Sequence, residues 1–95
     1  MKRIGAIVYD EDSDRCMVRY NGDVFQEIPN KAELYVLHGN VWLRSQLRRS
    51  MWGYWFLTDT GTTDLTGVCV MIDIDADGRY SPKMVKNLWK GCAKK

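Results

Sequence analysis

Residues 39–58 read GNVWLRSQLRRSMWGYWFLT, and the conformation of this stretch decides the fold. It contains three of the four tryptophans and no acidic residue. A β-strand would alternate between two faces with period 2. One face would then carry Val41, Leu43, Ser45 and Leu47, and the other would carry Trp42, Arg44, Gln46 and Arg48.

A helix is the alternative for the same stretch. Leu43, Leu47 and Met51 recur at i, i+4 and i+8, with Asn40 as an N-cap and Gly53 as a stop. Both conformations place Arg44 and Arg48 on one side, whereas Trp42 joins them only in a strand. We favour the strand, because turn residues bracket the segment and the β-rich run 54–58 follows it.

Turn signals divide the rest of the chain into short strands. Asn21-Gly22 accepts the two positive φ angles of a type I′ turn, and Gly39-Asn40 fits a second tight hairpin. The predicted strands cover residues 4–9, 15–20, 23–28, 33–38, the central segment, 53–58 and 68–74, with a loop over 59–66. This pattern predicts a mainly β fold, either a small antiparallel barrel or a strongly bent sheet.

The 95 residues form one domain, with the β part over residues 1–80. Residues 81–95 contain a predicted C-terminal helix and a basic tail. Ser81 is a suitable N-cap, Pro82 suits the first helical position, and apolar residues then recur at helical spacing to about residue 90. The helix would expose a stripe of three lysines, Lys83, Lys86 and Lys90.

Charge is distributed unevenly, although the net charge is only +2. Six basic residues and no acidic residue lie between residues 79 and 95. Two groups of acidic residues lie in predicted turns, namely Asp10, Glu11, Asp12 and Asp14, and then Asp73, Asp75 and Asp77. The sequence therefore predicts a polarised surface with acidic turns and a basic tail.

Three stretches resemble a family of small proteins carried by phages and other mobile elements. They are HGNVW at 38–42, YWFL at 54–57 and LTGVCV at 65–70. Gln46 stands where the family has an arginine, and the basic helix has no counterpart. The resemblance implies an SH3-like barrel and a mobile-element origin, but no activity. Many phage proteins of this size block or redirect a host protein, including defence nucleases.

No complete catalytic or cofactor motif is present. Residues 73–78 resemble the opening of an EF-hand loop, but Met84 replaces the glutamate at its twelfth position, which favours a solvated acidic turn over weak calcium binding. His38 is the only histidine, and a dyad with Cys69 would require folding to bring the two together. The sequence therefore predicts no enzyme, no metal site and no cofactor.

The cysteines and the apolar runs indicate the compartment. Cys16, Cys69 and Cys92 are odd in number and widely spaced, which suits reduced thiols. The N-terminal apolar run is too short for a signal peptide, and no run is long enough to span a membrane. The sequence therefore predicts a cytoplasmic protein that does not enter a membrane.

Two functions remain. The first is a module that binds nucleic acid through a surface of arginine, tryptophan and lysine, because arginine pairs phosphates and tryptophan stacks on bases. Its contacts would be Trp42, Arg44, Gln46, Arg48, Arg49, Trp52, Lys83, Lys86 and Lys90. The second is an anti-CRISPR-like inhibitor that docks on a host protein such as a defence nuclease, through that surface or the seven clustered acidic residues. Against both stands the interpretation that the tryptophans are core and the arginines only cover them.

Overall fold

The computed structural model describes residues 1–81, which form a mainly β, antiparallel structure. The strands are β1 Lys2–Asp10, β2 Arg15–Tyr20, β3 Val24–Ile28, β4 Glu33–His38, β5 Val41–Arg49, β6 Trp55–Leu57, β7 Cys69–Ile74 and β8 Tyr80–Ser81. The mainly β prediction is confirmed. Residues 1–81 contain no helix, and so none with the length and apolar character needed to cross a bilayer.

The strands pair in the order β3-β2-β1-β7-β4-β5-β6, and β8 pairs with β7. Within the described part of the chain, the ladder ends at β3 and β6, so a closed barrel is not seen. The predicted helix over residues 82–90, with Lys83, Lys86 and Lys90, lies outside the described residues.

Both predicted hairpins are present. Asn21 and Gly22 have φ angles of 51° and 81°, and Tyr20 pairs with Val24 across a loop that also takes in Asp23. The strand after this turn therefore begins one residue later than predicted. In the second hairpin, His38 pairs with Val41 across the two-residue Gly39-Asn40 loop.

The central segment is a strand, not a helix. β5 pairs with β4 along most of its length and with β6 at its end, where Leu47 lies opposite Leu57. β6 begins at Trp55, not at residue 53, because residues 50–54 form the connecting turn. Strand β5 therefore presents two faces, and its core face buries Ser45 and Leu47.

One hydrophobic core joins the sheet. Its buried residues come from seven strands and from the loops between them. They are Ile7, Cys16, Val18, Ile28, Ala32, Leu34, Val36, Leu47, Leu57, Leu65, Val70, Ile72 and Ile74. β7 is buried on both sides, because Met71 and Asp73, which alternate with the core residues, are each 7% exposed. The central position of β7, between β1 and β4, explains this pattern.

Candidate docking site

The outer face of β5, opposite its core face, holds the four residues that the sequence placed together. Trp42, Arg44, Gln46 and Arg48 are all half-buried there, while Ser45 and Leu47 between them are buried. The outer face is thus neither core nor fully solvated. Arginine stems cover apolar surface on such a face while their charged ends stay near water.

The two arginines of the outer face differ in their partners. Arg44 forms an ion pair of 2.5 Å with Glu33 on the neighbouring strand. Arg48 donates to Gln46 Oε1 at 3.3 Å, and its Nε is buried without a hydrogen-bond partner. None of the ion pairs among residues 1–81 includes Arg48.

Arg49 does not join the outer face. It follows Arg48 directly in a strand, so the two side chains project to opposite sides. Arg49 pairs with Asp14 at 2.6 Å. Trp52 is also separate from Trp42, because Trp42 lies near the start of the nine-residue β5 and Trp52 lies in the turn after its end, so that roughly 20–25 Å of strand separates them at the usual rise per residue. The predicted arginine–tryptophan surface is therefore divided between two places.

Asp14 lies at the centre of the second group of residues, which includes Arg49. Its Oδ1 accepts hydrogen bonds from the Tyr9 hydroxyl at 2.8 Å and from Trp55 Nε1 at 3.1 Å, and its Oδ2 accepts from Arg49. These bonds, the one from Tyr9 first, lower the pKa of the Asp14 carboxyl. Asp14 thereby fastens the turn over residues 10–14, the acidic turn, to the turn over residues 50–54, the aromatic turn.

The acidic turn displays negative charge that the described residues leave unpaired. Glu11 and Asp12 are exposed. Asp10 uses its carboxylate within the turn, accepting from the Asp12 backbone N–H at 3.1 Å and from the Ser13 hydroxyl at 2.8 Å. Among residues 1–81, no ion pair includes Asp10, Glu11 or Asp12.

The aromatic turn displays large apolar side chains from a fixed backbone. Ser50 N–H donates to the Tyr54 carbonyl at 2.8 Å, and Gly53 N–H donates to the Ser50 carbonyl at 3.0 Å. Ser50 Oγ also accepts from the backbone N–H groups of Trp52 and Tyr54. Met51 is nevertheless 88% exposed and Trp52 78% exposed. Backbone hydrogen bonds fix the conformation of the turn, whereas the side chains of Met51 and Trp52 are exposed to solvent.

The seven acidic residues of the predicted alternative contact do not form one surface. The turn over residues 75–79 lies at the opposite end of β1 from the acidic turn, because Lys2 pairs with Asp73. Asp73 is buried and binds the N-terminal amine of Met1, whereas Asp75 and Asp77 are exposed. Only Asp10, Glu11, Asp12 and Asp14 belong to the end of the molecule that carries the aromatic turn.

The second acidic turn closes on itself. Asp75 Oδ1 accepts hydrogen bonds from the backbone N–H groups of Asp77 and Arg79, both at 3.0 Å. In the described part of the chain, no three histidine, cysteine or acidic side chains are grouped so as to hold a metal ion. This geometry is that of a self-bonded Asx turn.

His38 at the end of β4, buried Ser45 on β5 and Asp59 after β6 form a cluster that no local pattern in the sequence predicted. Asp59 lies in the middle, with Ser45 Oγ donating to Oδ1 at 2.7 Å and His38 Nε2 lying 2.5 Å from Oδ2. A hydrolytic triad has the histidine between the other two, so that it can take the serine proton. Here the serine hydroxyl faces the carboxylate, and the cluster anchors the loop that follows β6.

A dyad of His38 with Cys69 depended on folding to bring the two side chains together. His38 contacts Asp59 instead. Cys16 and Cys69 are free thiols. Burial raises the pKa of the Cys16 thiol to about 12, which keeps it protonated and unreactive at neutral pH.

Fold and site together define a small antiparallel β-sheet protein with a candidate docking end, formed by the acidic turn and the aromatic turn. No family model matches the chain, and no curated protein or solved structure matches it.

Proposed function

We propose that this chain is a non-enzymatic binding module that docks on a partner protein through its acidic turn and its aromatic turn. The observation that supports this best is the bonding of Asp14, which joins the turn with the exposed carboxylates Glu11 and Asp12 to the turn with the exposed Trp52. Tryptophan is among the residues that most often dominate the energy of a protein interface. Carboxylates around it select a basic partner surface and speed the encounter with it.

The charges of this end favour a protein over nucleic acid as its partner. Four carboxylates lie in the acidic turn, and the nearby Arg49 is already paired with one of them. A phosphate would meet repulsion here, whereas a groove that binds nucleic acid would present lysines and arginines of the opposite sign. An inhibitor that occupies such a groove, for instance in a host defence nuclease, fits both this charge and the phage-type resemblance.

Charge reversal at the two acidic turns tests the proposal with a matched control. The variant Glu11→Lys/Asp12→Lys reverses two exposed carboxylates at the docking end, and Asp75→Lys/Asp77→Lys reverses two at the opposite end. We expect the first variant to lose proteins that the wild type captures from a bacterial lysate and the second to retain them. Both variants change the net charge equally. A difference in the proteins that they capture therefore shows that the position of the carboxylates matters.

Two results would contradict the proposal. Equal loss of the captured proteins in both variants would show that only net charge matters. Loss of capture after nuclease treatment of the lysate would show that nucleic acid, not protein, is the partner.

A second candidate is nucleic-acid binding through the outer face of β5. The observation that favours it is Arg48, which has no carboxylate partner among residues 1–81 and shares the face with Arg44 and Trp42. A labelled single-stranded oligonucleotide would then bind at low salt, weaken steeply as salt rises, and lose affinity in Arg48→Glu. Absence of binding at low salt would rule this candidate out.

A further inference from the structure

We infer that the recess between Tyr9, the aromatic turn and the loop before β7 receives a linear basic segment of the partner protein. One aliphatic side chain of that segment would lie inside the recess, and its lysines or arginines would lie on the acidic turn that follows Tyr9. This inference rests on the proposed function, since it names the part of the partner that the docking end recognises. The size of the recess, the chemistry of its walls and the charge beside it support such an occupant.

The recess has the size of a single side chain. Its volume is about 190 Å³, and its lining comes from β1, from the aromatic turn with the start of β6, and from the loop before β7. The lining residues are Tyr9, Gly53, Tyr54, Trp55, Thr63 and Leu65. Pockets for drug-sized ligands are larger, from about 300 Å³ upward. A side chain projecting from a narrow segment fits this space better than a metabolite does.

The walls favour an apolar occupant. Leu65 is buried in the core, and Tyr9 and Trp55 pack against that core. The Tyr9 hydroxyl and the Trp55 indole N–H both donate to Asp14, so neither has a proton left to donate to a ligand. A polar side chain would lose its bonds to water on entering, whereas an aliphatic one would lose none.

The walls are also held in place before any partner binds. Asp14 fixes Tyr9 and Trp55 with one carboxylate oxygen, and the backbone bonds of the aromatic turn fix Gly53. Because the walls are already ordered, binding costs little free energy for ordering them. Even a short segment can then bind.

The charge beside the recess selects basic flanking residues. Tyr9, in the wall, is followed directly by the acidic turn, where Glu11 and Asp12 are exposed and have no ion-pair partner among residues 1–81. An extended segment with its aliphatic residue in the recess would bring its neighbouring residues over this turn. Lysine or arginine at those positions would be attracted, and aspartate or glutamate would be repelled.

The test is a titration of the ¹⁵N-labelled full chain with an acetylated peptide of sequence Arg-Arg-Ser-Leu-Ser-Arg-Arg. We expect a saturable shift of the Trp55 indole N–H signal and of the Gly53 amide, while the indole of Trp42, at the other end of β5, stays in place. Replacing the peptide leucine by serine should raise the dissociation constant about tenfold or more, because the buried aliphatic contact is lost. Replacing its arginines by glutamates should abolish binding.

Protein variants separate the two parts of the inference. Thr63→Phe places a bulky ring at the exposed lip of the recess without altering charge, and should block the peptide. Glu11→Lys/Asp12→Lys should weaken binding at least tenfold, whereas the matched Asp75→Lys/Asp77→Lys variant should bind like the wild type.

Several outcomes would overturn the inference. They are equal binding of the leucine and serine peptides, a shift of Trp42 in place of Trp55, a Trp55 shift caused by an oligonucleotide, and a Trp55 shift that follows dimerisation of the chain at rising concentration. Absence of any shift at millimolar peptide would also overturn it. In that case the result of the lysate capture decides the proposed function. The proposed function would stand if capture still depended on Glu11 and Asp12. If capture did not depend on them, both the proposed function and the inference would fail.

Discussion

At the scale of single residues, Gly5 shows how closely two strands can approach. A Cβ atom at this position would collide with the carbonyl oxygen of Arg19 on β2 and would lie 2.9 Å from Val18 Cγ1. The colliding atom belongs to backbone, so it cannot move aside as the end of a flexible side chain can. Gly5 is therefore required by packing between β1 and β2.

Gly5→Ala should lower the free energy of unfolding by about 1–3 kcal/mol or more, as overpacking does in a rigid core. Urea denaturation followed by fluorescence measures the change. Gly61→Ala is a matched control, because Gly61 has a φ of 73° and open space around its Cβ position, so that only backbone strain of about 1 kcal/mol is expected. An equal or larger loss in the control would contradict the packing argument.

Asp59 is the residue on which the loop after β6 depends. Burial of its carboxyl raises its pKa, but the hydrogen bond from Ser45 and the contact with His38 lower it by more, and the net shift is downward. A carboxyl with a depressed folded pKa stabilises the fold above its unfolded pKa, near 3.9, and this contribution is lost as the pH falls through the folded pKa.

Asp59→Asn should therefore be less stable than the wild type at pH 7, by about 1–3 kcal/mol for a lost charged hydrogen-bond network. The difference should begin to shrink below about pH 4, where the unfolded carboxyl becomes protonated, and should be lost as the pH falls further through the depressed pKa of the folded carboxyl. Thermal unfolding across this pH range gives the measurement. Asp64→Asn, an exposed carboxyl in the same loop, should show neither effect. A difference that stays constant with pH would exclude the carboxylate as the cause.

At the scale of elements, Asp14 joins three structural units through one carboxylate. It connects its own turn to β1 through Tyr9, to β6 through Trp55 and to β5 through Arg49. Its φ of 54° lies in the left-handed region, where asparagine and aspartate are tolerated better than most residues.

Replacement of Asp14 should weaken this junction in a graded way. Asp14→Asn keeps an oxygen for Tyr9 and Trp55 and tolerates the left-handed backbone, so its melting temperature should fall less than that of Asp14→Ala. Alanine should also move the indole N–H signal of Trp55 in the ¹H–¹⁵N spectrum, because the acceptor is lost. Equal melting temperatures for the two variants would show that the carboxylate bonds are not what holds the turns together.

The elements that the sequence predicted are those determined by local signals. Asn21-Gly22 and Gly39-Asn40 specify their turns through the backbone angles they accept, and each fixes the pairing of the two strands beside it. The short strand β8 was missed because two residues carry no periodicity. The boundary of β6 was placed too early because Tyr54 is a residue that strands favour, whereas Gly53 and Tyr54 both belong to the turn.

The site was predictable only where alternation along one strand sufficed. Trp42, Arg44, Gln46 and Arg48 share the outer face of β5 as predicted, whereas Arg49 was grouped with them by proximity in sequence and projects to the other side. The contacts that form the docking end join residues 35 to 41 positions apart, Arg49 and Trp55 to Asp14. Such contacts follow from how the sheet curls, which no local pattern in the sequence encodes.

At the scale of the whole molecule, one core connects both ends of the sheet. Ile7, Leu34, Leu47 and Ile72 come from four different strands and are completely buried in a single cluster. The docking end is attached to this cluster through Leu65 and Trp55. Its stability is therefore not independent of the rest of the sheet, and the molecule should unfold as one cooperative unit.

Two leucines on the same face of β5 test this cooperativity. Leu47 is fully buried, and Leu43, four residues away, is 44% exposed. Leu47→Ala should cost about 2–5 kcal/mol through lost burial and a residual cavity, and Leu43→Ala should cost less than about 1 kcal/mol, because part of its surface is already in water. Far-ultraviolet circular dichroism and the Trp55 indole signal should give the same transition midpoint in Leu47→Ala, since one core supports both. A lower midpoint for the indole would mean that the docking end melts separately, and its recess would then lose the fixed shape on which recognition of a linear segment depends.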